Sequence, residues 1–377
     1  MSKIQLWFED CIKIENEFWY ASGRVNGLFK SGITNGETEL VGLFEGESAD
    51  RWRLFSGMVR QGNKLFFIPY TASRLFVYDL DAKRMEPVIL NSVEPQYLLC
   101  CAVHDEKILM IHANKDSFLV YDTVSSKVCM LDGYRKRFGI TGRCVEEGIL
   151  KRGKFYTGCE KNNRMLIVDL ENMRLESVKI GIDNTGYKMI GEKSEYLLAC
   201  DEKENVYKID LSGKILEKMT CLERVNMRDD YNNKIIIMND DLYVFSFTEN
   251  KIKRINMQTA QMAEIDIMEY EDSSYCVPLK RHWGAVKKLD QEILFVSNAD
   301  LRVRILDQSL NVQEVVFDIE MNTLRKAWER EGIKYKNDCC EDLFVSLESY
   351  LNKILTSDIA VRKTGCSRCG KTIYENV

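Results

Sequence analysis

KLFFIPYTASRLFVYDLDAKRMEPVIL, residues 64–90, opens with an apolar run, breaks at polar residues 70–74, and resumes in a second run, 75–78, that closes on Asp79. Turn formers occupy residues 80–84, and a third run ends in Val88, Ile89 and Leu90. Aromatic and β-branched residues bounded by turn formers predict three short antiparallel strands. The same cadence returns down the chain. Aligned on the second run and its acid, LFVYD ends at Asp79, FLVYD at Asp122, LIVD at Asp169, VYKID at Asp210, IKRIN at Asn256 and VRILD at Asp307.

Successive copies are offset by 43, 47, 41, 46 and 51 residues. Each has an earlier run upstream (KLFFIP, KILMIH, KFYTGC, YLLAC, DLYVFS, EILFVS) and a later one downstream (PVIL, VCML, ESVKI, ILEKM, AEIDI, QEVVF). A weaker first copy covers residues 17–44, with Lys30 and Ser31 where the others place the acid, making seven units. An all-strand period of this length matches one propeller blade, a four-stranded sheet repeated around an axis. The fourth strand of each blade is then the segment just before each unit: RLFSGMV, YLLCCAV, RCVEEGIL, YKMIGE, KIIIMN and GAVKKL, with IQLWFEDCIKI serving the first. The alternatives, a two-sheet sandwich or two smaller β domains, fit less well because no linker separates the units. The recurring acid has a structural job, accepting backbone N–H bonds of the turn that follows strand three.

After Ile319 the alternation stops. Leu324 and Trp328 fall on one helical face, and Leu343, Leu347 and Leu351 follow at spacings of four. The expected organisation is an all-β, seven-bladed propeller over residues 1–319, C-terminal helices over 320–357 that brace the ring or dock a partner, and a tail over 358–377. The tail holds Cys366 and Cys369, half of a zinc-knuckle pattern, for which Cys339 and Cys340 are the available complement. Adjacent cysteines are awkward joint ligands, so free thiols are the plainer expectation, with no metal and no cofactor.

Charge is nearly balanced, 53 basic against 58 acidic residues, which argues against a nucleic-acid-binding face. No run approaches the roughly 20 apolar residues of a membrane span. Acids interrupt the apolar residues of the first twenty positions, unlike an export signal. The thirteen cysteines, odd in number and irregularly spaced, then read as reduced thiols of a cytoplasmic protein.

The blade pattern, an apolar run, a polar break, then [FLV]-[VIK]-[YVIL]-[DN], resembles the bacterial propellers grouped with YVTN, quinoprotein-like and kelch-like repeats, across roughly residues 5–319. The Gly-His and Trp-Asp signatures of WD-repeat blades and the Gly-Gly pair of kelch blades are absent. The resemblance implies an architecture and carries over no site residue.

Three histidines, His104, His112 and His282, sit in different local contexts, and no nucleophile elbow, phosphate loop or metal-binding helix motif appears. A propeller's chemistry collects where the loops entering each blade's innermost strand surround the channel mouth. Those loops carry Arg51 and Trp52, Tyr97, Thr141 with Arg143, Tyr187 with Lys188, Arg228 with Tyr231, and Arg281 with His282 and Trp283. Aromatic faces give apolar area at small entropy cost, and Arg offers a fork of donors to carboxylate or phosphate. Two readings stand. Either these residues ring a ligand, or the aromatics plug the space between blades as core. The ligand ring would make the protein a binding or scaffold module for a protein segment or a small anionic, glycan-like ligand. The other functional reading is an enzyme acting on a sugar or peptide derivative through Arg, Tyr and His at the same mouth.

Overall fold

The computed structural model describes residues 3–333 except 50, 91–95, 143, 160, 182–185, 194, 202–204, 222–233, 247–250, 260, 268–282 and 299. Seven four-stranded antiparallel sheets follow one another in chain order, each strand pairing with the next. Blade one is Ile12–Ile14, Glu17–Ala21, Leu28–Gly32 and Thr38–Gly42. Blades two to seven begin at Phe55–Gln61, Leu98–His104, Cys144–Lys151, Tyr187–Lys193, Lys234–Met238 and Trp283–Leu289. These first strands lie side by side around the axis and line the channel. Six of them coincide with the segments that the repeat assigns to the innermost position.

The apolar runs form second strands because both faces are covered: Leu65, Phe66, Phe67 and Ile68 are all buried, as are Ile108, Leu109, Met110 and Ile111. The cores therefore lie between blades. Val59, Phe66 and Ile68 of blade two meet Ile108, Met110 and Leu119 of blade three in one cluster. Equivalent clusters join blades three to four, four to five, five to six and six to seven. A single blade buries neither face alone, so packing against neighbours stabilises the array.

Strands one and two join through two-residue turns, and Glu15, Gly62, Asp105, Arg152, Asn239 and Asp290 take positive φ there. That conformation matches the twist of a tight hairpin. The acid after strand three behaves as its position requires. Asp79 Oδ1 accepts from the N–H groups of Asp81 and Ala82, and Asp122 Oδ1 from Val124 and Ser125. Asp169 serves Glu171 and Asn172, Asp210 serves Ser212 and Lys214, Asn256 serves Gln258 and Thr259, and Asp307 serves Asn311. Blade one replaces this device with hydroxyls: Ser31 Oγ lies 2.8 Å from Thr38 Oγ1 and 2.7 Å from the Tyr20 hydroxyl.

The N-terminal stretch differs from its expected single strand. It splits in two, with Ile12–Ile14 opening blade one while Lys3–Gln5 pairs antiparallel with Asp318–Glu320, beyond blade seven. Residues 6–11 cross between them and tie the ring shut. Lys287 of blade seven donates to Asp10 Oδ1 at 2.6 Å, while Asp10 Oδ2 accepts the Met58 N–H of blade two at 2.9 Å. A short helix, α1 (Tyr134–Phe138), links blades three and four. Helix α2 (Met321–Arg330) buries Met321, Leu324 and Trp328, and Trp328 Nε1 donates to the Asn26 carbonyl at 3.1 Å. The helix expected around Leu343, Leu347 and Leu351, and the cysteines Cys339, Cys340, Cys366 and Cys369, lie outside the described residues. Among the described residues no helix is long and apolar enough to cross a membrane.

Candidate functional site at the channel mouth

The loop entering blade two builds one wall of the mouth. Arg51 donates toward Glu47 at 3.5 Å, and the buried Glu47 carboxylate also accepts from the N–H and hydroxyl of Ser73. Trp52 stacks on the fully buried Trp7, with ring centroids 4.8 Å apart. Arg53 adopts a left-handed backbone, φ 52°, which turns its side chain onto the face of Tyr70, 4.2 Å from the ring centroid. Its guanidinium reaches Glu9 at 3.0 Å. Tyr70 in turn stands edge-on to Tyr97, and Tyr97, also left-handed at φ 50°, donates its N–H to the Tyr70 carbonyl. The Thr71 hydroxyl lies within hydrogen-bonding distance of the carbonyls of both Trp52 and Arg53, pinning the loop. Non-glycine residues at positive φ cost conformational energy and persist where surroundings over-determine them, often at functional sites.

Below this wall lies a cavity of about 340 Å³, lined by the first strands of blades two to seven and by Glu9. Its charged groups come in pairs: Arg53 with Glu9, and Lys234 of blade six with Glu147 of blade four. Burial works most strongly against the Lys287 ammonium, but the Asp10 carboxylate, which it meets at 2.6 Å, and the neighbouring cysteines together raise the lysine's pKa. Burial pushes the thiol of Cys100, on the cavity wall, up to about 12, so it is no nucleophile near neutral pH. His112, at the mouth end of blade three, is buried with Nδ1 3.1 Å from the Gln96 carbonyl. Burial lowers its pKa and keeps it neutral. His104 lies at the opposite end of that blade, beside Asp105 in the hairpin. Among the described residues no group of three or more His, Cys, Asp or Glu is placed to hold a metal ion.

The mouth residues read from sequence therefore separate. Arg51, Trp52 and Tyr97 come together around blades one to three, joined by Glu9, Glu47, Arg53 and Tyr70, which the sequence reading passed over. Tyr70 begins the polar break after KLFFIP, and Arg53 adjoins Trp52; both carried the signal. Tyr187 is fully buried among Met165, Ile180 and Leu197, and Trp283, 4% exposed, packs edge-on to Phe245 and Phe295. Both are plugs between blades and present no face to the mouth. Lys188 is buried as well. Thr141 stays exposed and donates to the Lys161 carbonyl. Arg143, Arg228, Tyr231, Arg281 and His282 lie outside the described residues.

The fold defines a seven-bladed β-propeller. No family model and no curated protein matches the sequence, but solved structures do. Virginiamycin B lyase from Staphylococcus aureus is 12% identical with a TM-score of 0.56, over 79% of this chain and 96% of that one. A computationally designed protein is 10% identical with a TM-score of 0.53, over 84% of this chain and 87% of its own. The extracellular domain of a hybrid two-component system from B. thetaiotaomicron is 14% identical with a TM-score of 0.56, over 80% of this chain and 38% of that one. At such identities the likeness shows the fold. That fold serves a lyase in one case and a domain of a two-component system in another, so function has to be argued from the site.

Proposed function

We propose that this propeller is a non-catalytic binding or scaffold module whose channel mouth receives a protein segment or an anionic, glycan-like ligand. One observation carries the reading: the Arg53 guanidinium, on the cavity wall, lies on Tyr70, which stands edge-on to the half-buried Tyr97, while the adjoining Trp52 is also half-buried. Rigid aromatic faces stack on sugar rings or apolar side chains, and a guanidinium held in plane pairs with carboxylate or phosphate. The buried, high-pKa thiol and the neutral, carbonyl-bonded His112 supply no activated group in the described wall, which favours binding over turnover. The arginines of the other loops, Arg228 and Arg281, would extend the same surface.

The test is calorimetric titration with acidic oligosaccharides, nucleotide-sugars and acidic peptides. The wild type is compared with Trp52→Ala, with a charge-neutral Glu9→Gln/Arg53→Met pair, and with a Lys64→Ala control on a hairpin remote from the mouth. Binding weakened at least about tenfold in the first two and unchanged in the control is expected. Tight binding untouched by both mouth variants removes the site, and chemical change of a bound ligand overturns the non-catalytic part.

A further inference from the structure

Blade four carries a pair of cysteines that the mouth does not use. Cys144 opens the blade's first strand, Cys159 closes its second (Lys154–Cys159), and the register sets them directly opposite each other. Their sulfurs are 3.2 Å apart, and both are free thiols. Cys144 is 3% exposed and Cys159 is fully buried. Directly opposed residues of antiparallel strands have Cα atoms about 4.5–5.5 Å apart, within the span that a disulfide bridges. Closing the bond requires the sulfurs to approach to about 2.05 Å. The sheet leaves room for that. Regular pairing lapses after Cys144 and resumes only at Gly148 opposite Thr157, so the strand is not clamped on that side.

We propose that Cys144 and Cys159 are a redox modification site, a dithiol that hydrogen peroxide converts to a cross-strand disulfide. Burial holds the Cys144 thiol well above its ordinary pKa at rest, so the reactive thiolate forms only when local opening wets the pair. Its sulfur then attacks one peroxide oxygen and becomes a sulfenic acid, and the departing hydroxide takes up the thiol's proton as one water. The Cys159 sulfur then attacks the Cys144 sulfur, the S–O bond breaks, and the hydroxyl leaves with the Cys159 proton as a second water. Two thiols and one peroxide give one disulfide and two waters, with two electrons passing from sulfur to oxygen. A dithiol reductant reverses it by exchange. Burial selects the oxidant: a water-sized peroxide reaches the pair on local opening, while a bulky disulfide is kept out. The bridge would fix the mouth end of the strand that carries Glu147 into the cavity.

The full-length protein is treated with hydrogen peroxide, quenched, alkylated in denaturant, digested and weighed. A peptide pair linked through Cys144 and Cys159, lighter by two hydrogens than the dithiol and lost on reduction, is expected as the dominant oxidised product. In Cys159→Ser, a sulfenic acid at Cys144 trapped by dimedone is expected. The proposal is overturned if both cysteines are recovered alkylated while other thiols oxidise. It is equally overturned if Cys144 links to another cysteine, or if each of the pair runs separately to sulfinic acid.

Discussion

Replacing Trp7 by alanine tests whether the N-terminal segment closes the ring. Trp7 is fully buried, stacks on Trp52, and donates its indole N–H to Asn298 Oδ1 of blade seven at 2.8 Å. Two glycines shape its pocket. A Cβ on Gly23 of blade one would fall 1.9 Å from Trp7 Cε3, and one on Gly284 of blade seven 2.4 Å from Nε1. The ring is thus wedged between the first and last blades. Truncating a buried Trp costs about 3–5 kcal/mol in transfer and cavity terms. About 1 kcal/mol of that belongs to the hydrogen bond.

The expected destabilisation for Trp7→Ala is therefore about 4 kcal/mol, and for Trp7→Phe, which keeps most of the apolar ring, about 1–1.5 kcal/mol. With a urea dependence of about 3 kcal/mol/M, the midpoint falls by roughly 1.3 M for alanine and roughly 0.4 M for phenylalanine. Equilibrium urea unfolding followed by far-ultraviolet circular dichroism reads both. A shift below roughly 0.4 M for alanine, or equal shifts for the two variants, would refute the wedge and make the N-terminal segment a passive cover.

Three further outcomes are expected. Gly158→Ala sets a Cβ 1.9 Å from the Tyr187 carbonyl of the next blade, backbone that cannot yield cheaply, and should cost at least about 3 kcal/mol in the same assay, whereas Gly42→Ala, with nothing within 4 Å, should cost close to nothing. Asp300→Ala strips one of the two carboxylates paired with the fully buried Arg304, which it meets at 2.5 Å, and leaves Glu314 at 2.7 Å; it should cost about 2–3 kcal/mol, against less than about 1 kcal/mol for the partly exposed Arg302→Ala; similar costs would contradict the burial argument. Hydrogen bonds from Ser125, Ser212 and Asn311 hold the carboxyls of Asp122, Asp210 and Asp307 below their usual pKa, so the stability they contribute is complete above that ordinary value and is lost as pH falls through it toward the lower folded values. Asparagine keeps the acceptor, as Asn256 does in blade six, but cannot titrate. An Asp122→Asn/Asp210→Asn/Asp307→Asn variant should therefore lose less stability than wild type between about pH 5 and pH 2.5, and an unchanged acid slope would count against the turn-acid account.

The blades were legible because two local signals agree. Apolar runs such as KLFFIP and KILMIH mark strands covered on both faces, and the acid at a fixed offset marks the turn after strand three. The N-terminal stretch is legible only in part: Ile12–Ile14 serves blade one as expected, but its split for ring closure depends on a long-range event. Lys3–Gln5 pairs with Asp318–Glu320, more than 300 residues away, and nothing local distinguishes that partner from a blade-one neighbour. Blade one's first strand is only three residues long, too short to announce itself by alternation.

The mouth was half legible for a more specific reason. Tyr187 and Trp283 are the first residues of their strands, already in register with Asp201 and Ser297, so their side chains take the alternation of the sheet and enter the cores between blades. Trp52 precedes the first strand residue, Phe55, by three positions, and Tyr97 precedes Leu98 by one. Both lie outside the ladder, in loop backbone where Arg53 and Tyr97 take positive φ. An offset of one to three residues thus decides whether an aromatic enters the core between blades or stays in the loop ahead of the strand, and sequence reading places strand ends no better than that. The discriminating quantity is the backbone conformation just ahead of each inner strand. In sequence, Arg228 lies six residues before Lys234 and Arg281 two before Trp283, ahead of the first strands of blades six and seven, which makes the pair the test of how far the proposed mouth extends. A double Arg228→Ala/Arg281→Ala variant that binds the mouth ligand as tightly as wild type would confine the site to blades one to three; a loss beyond about tenfold would complete the ring.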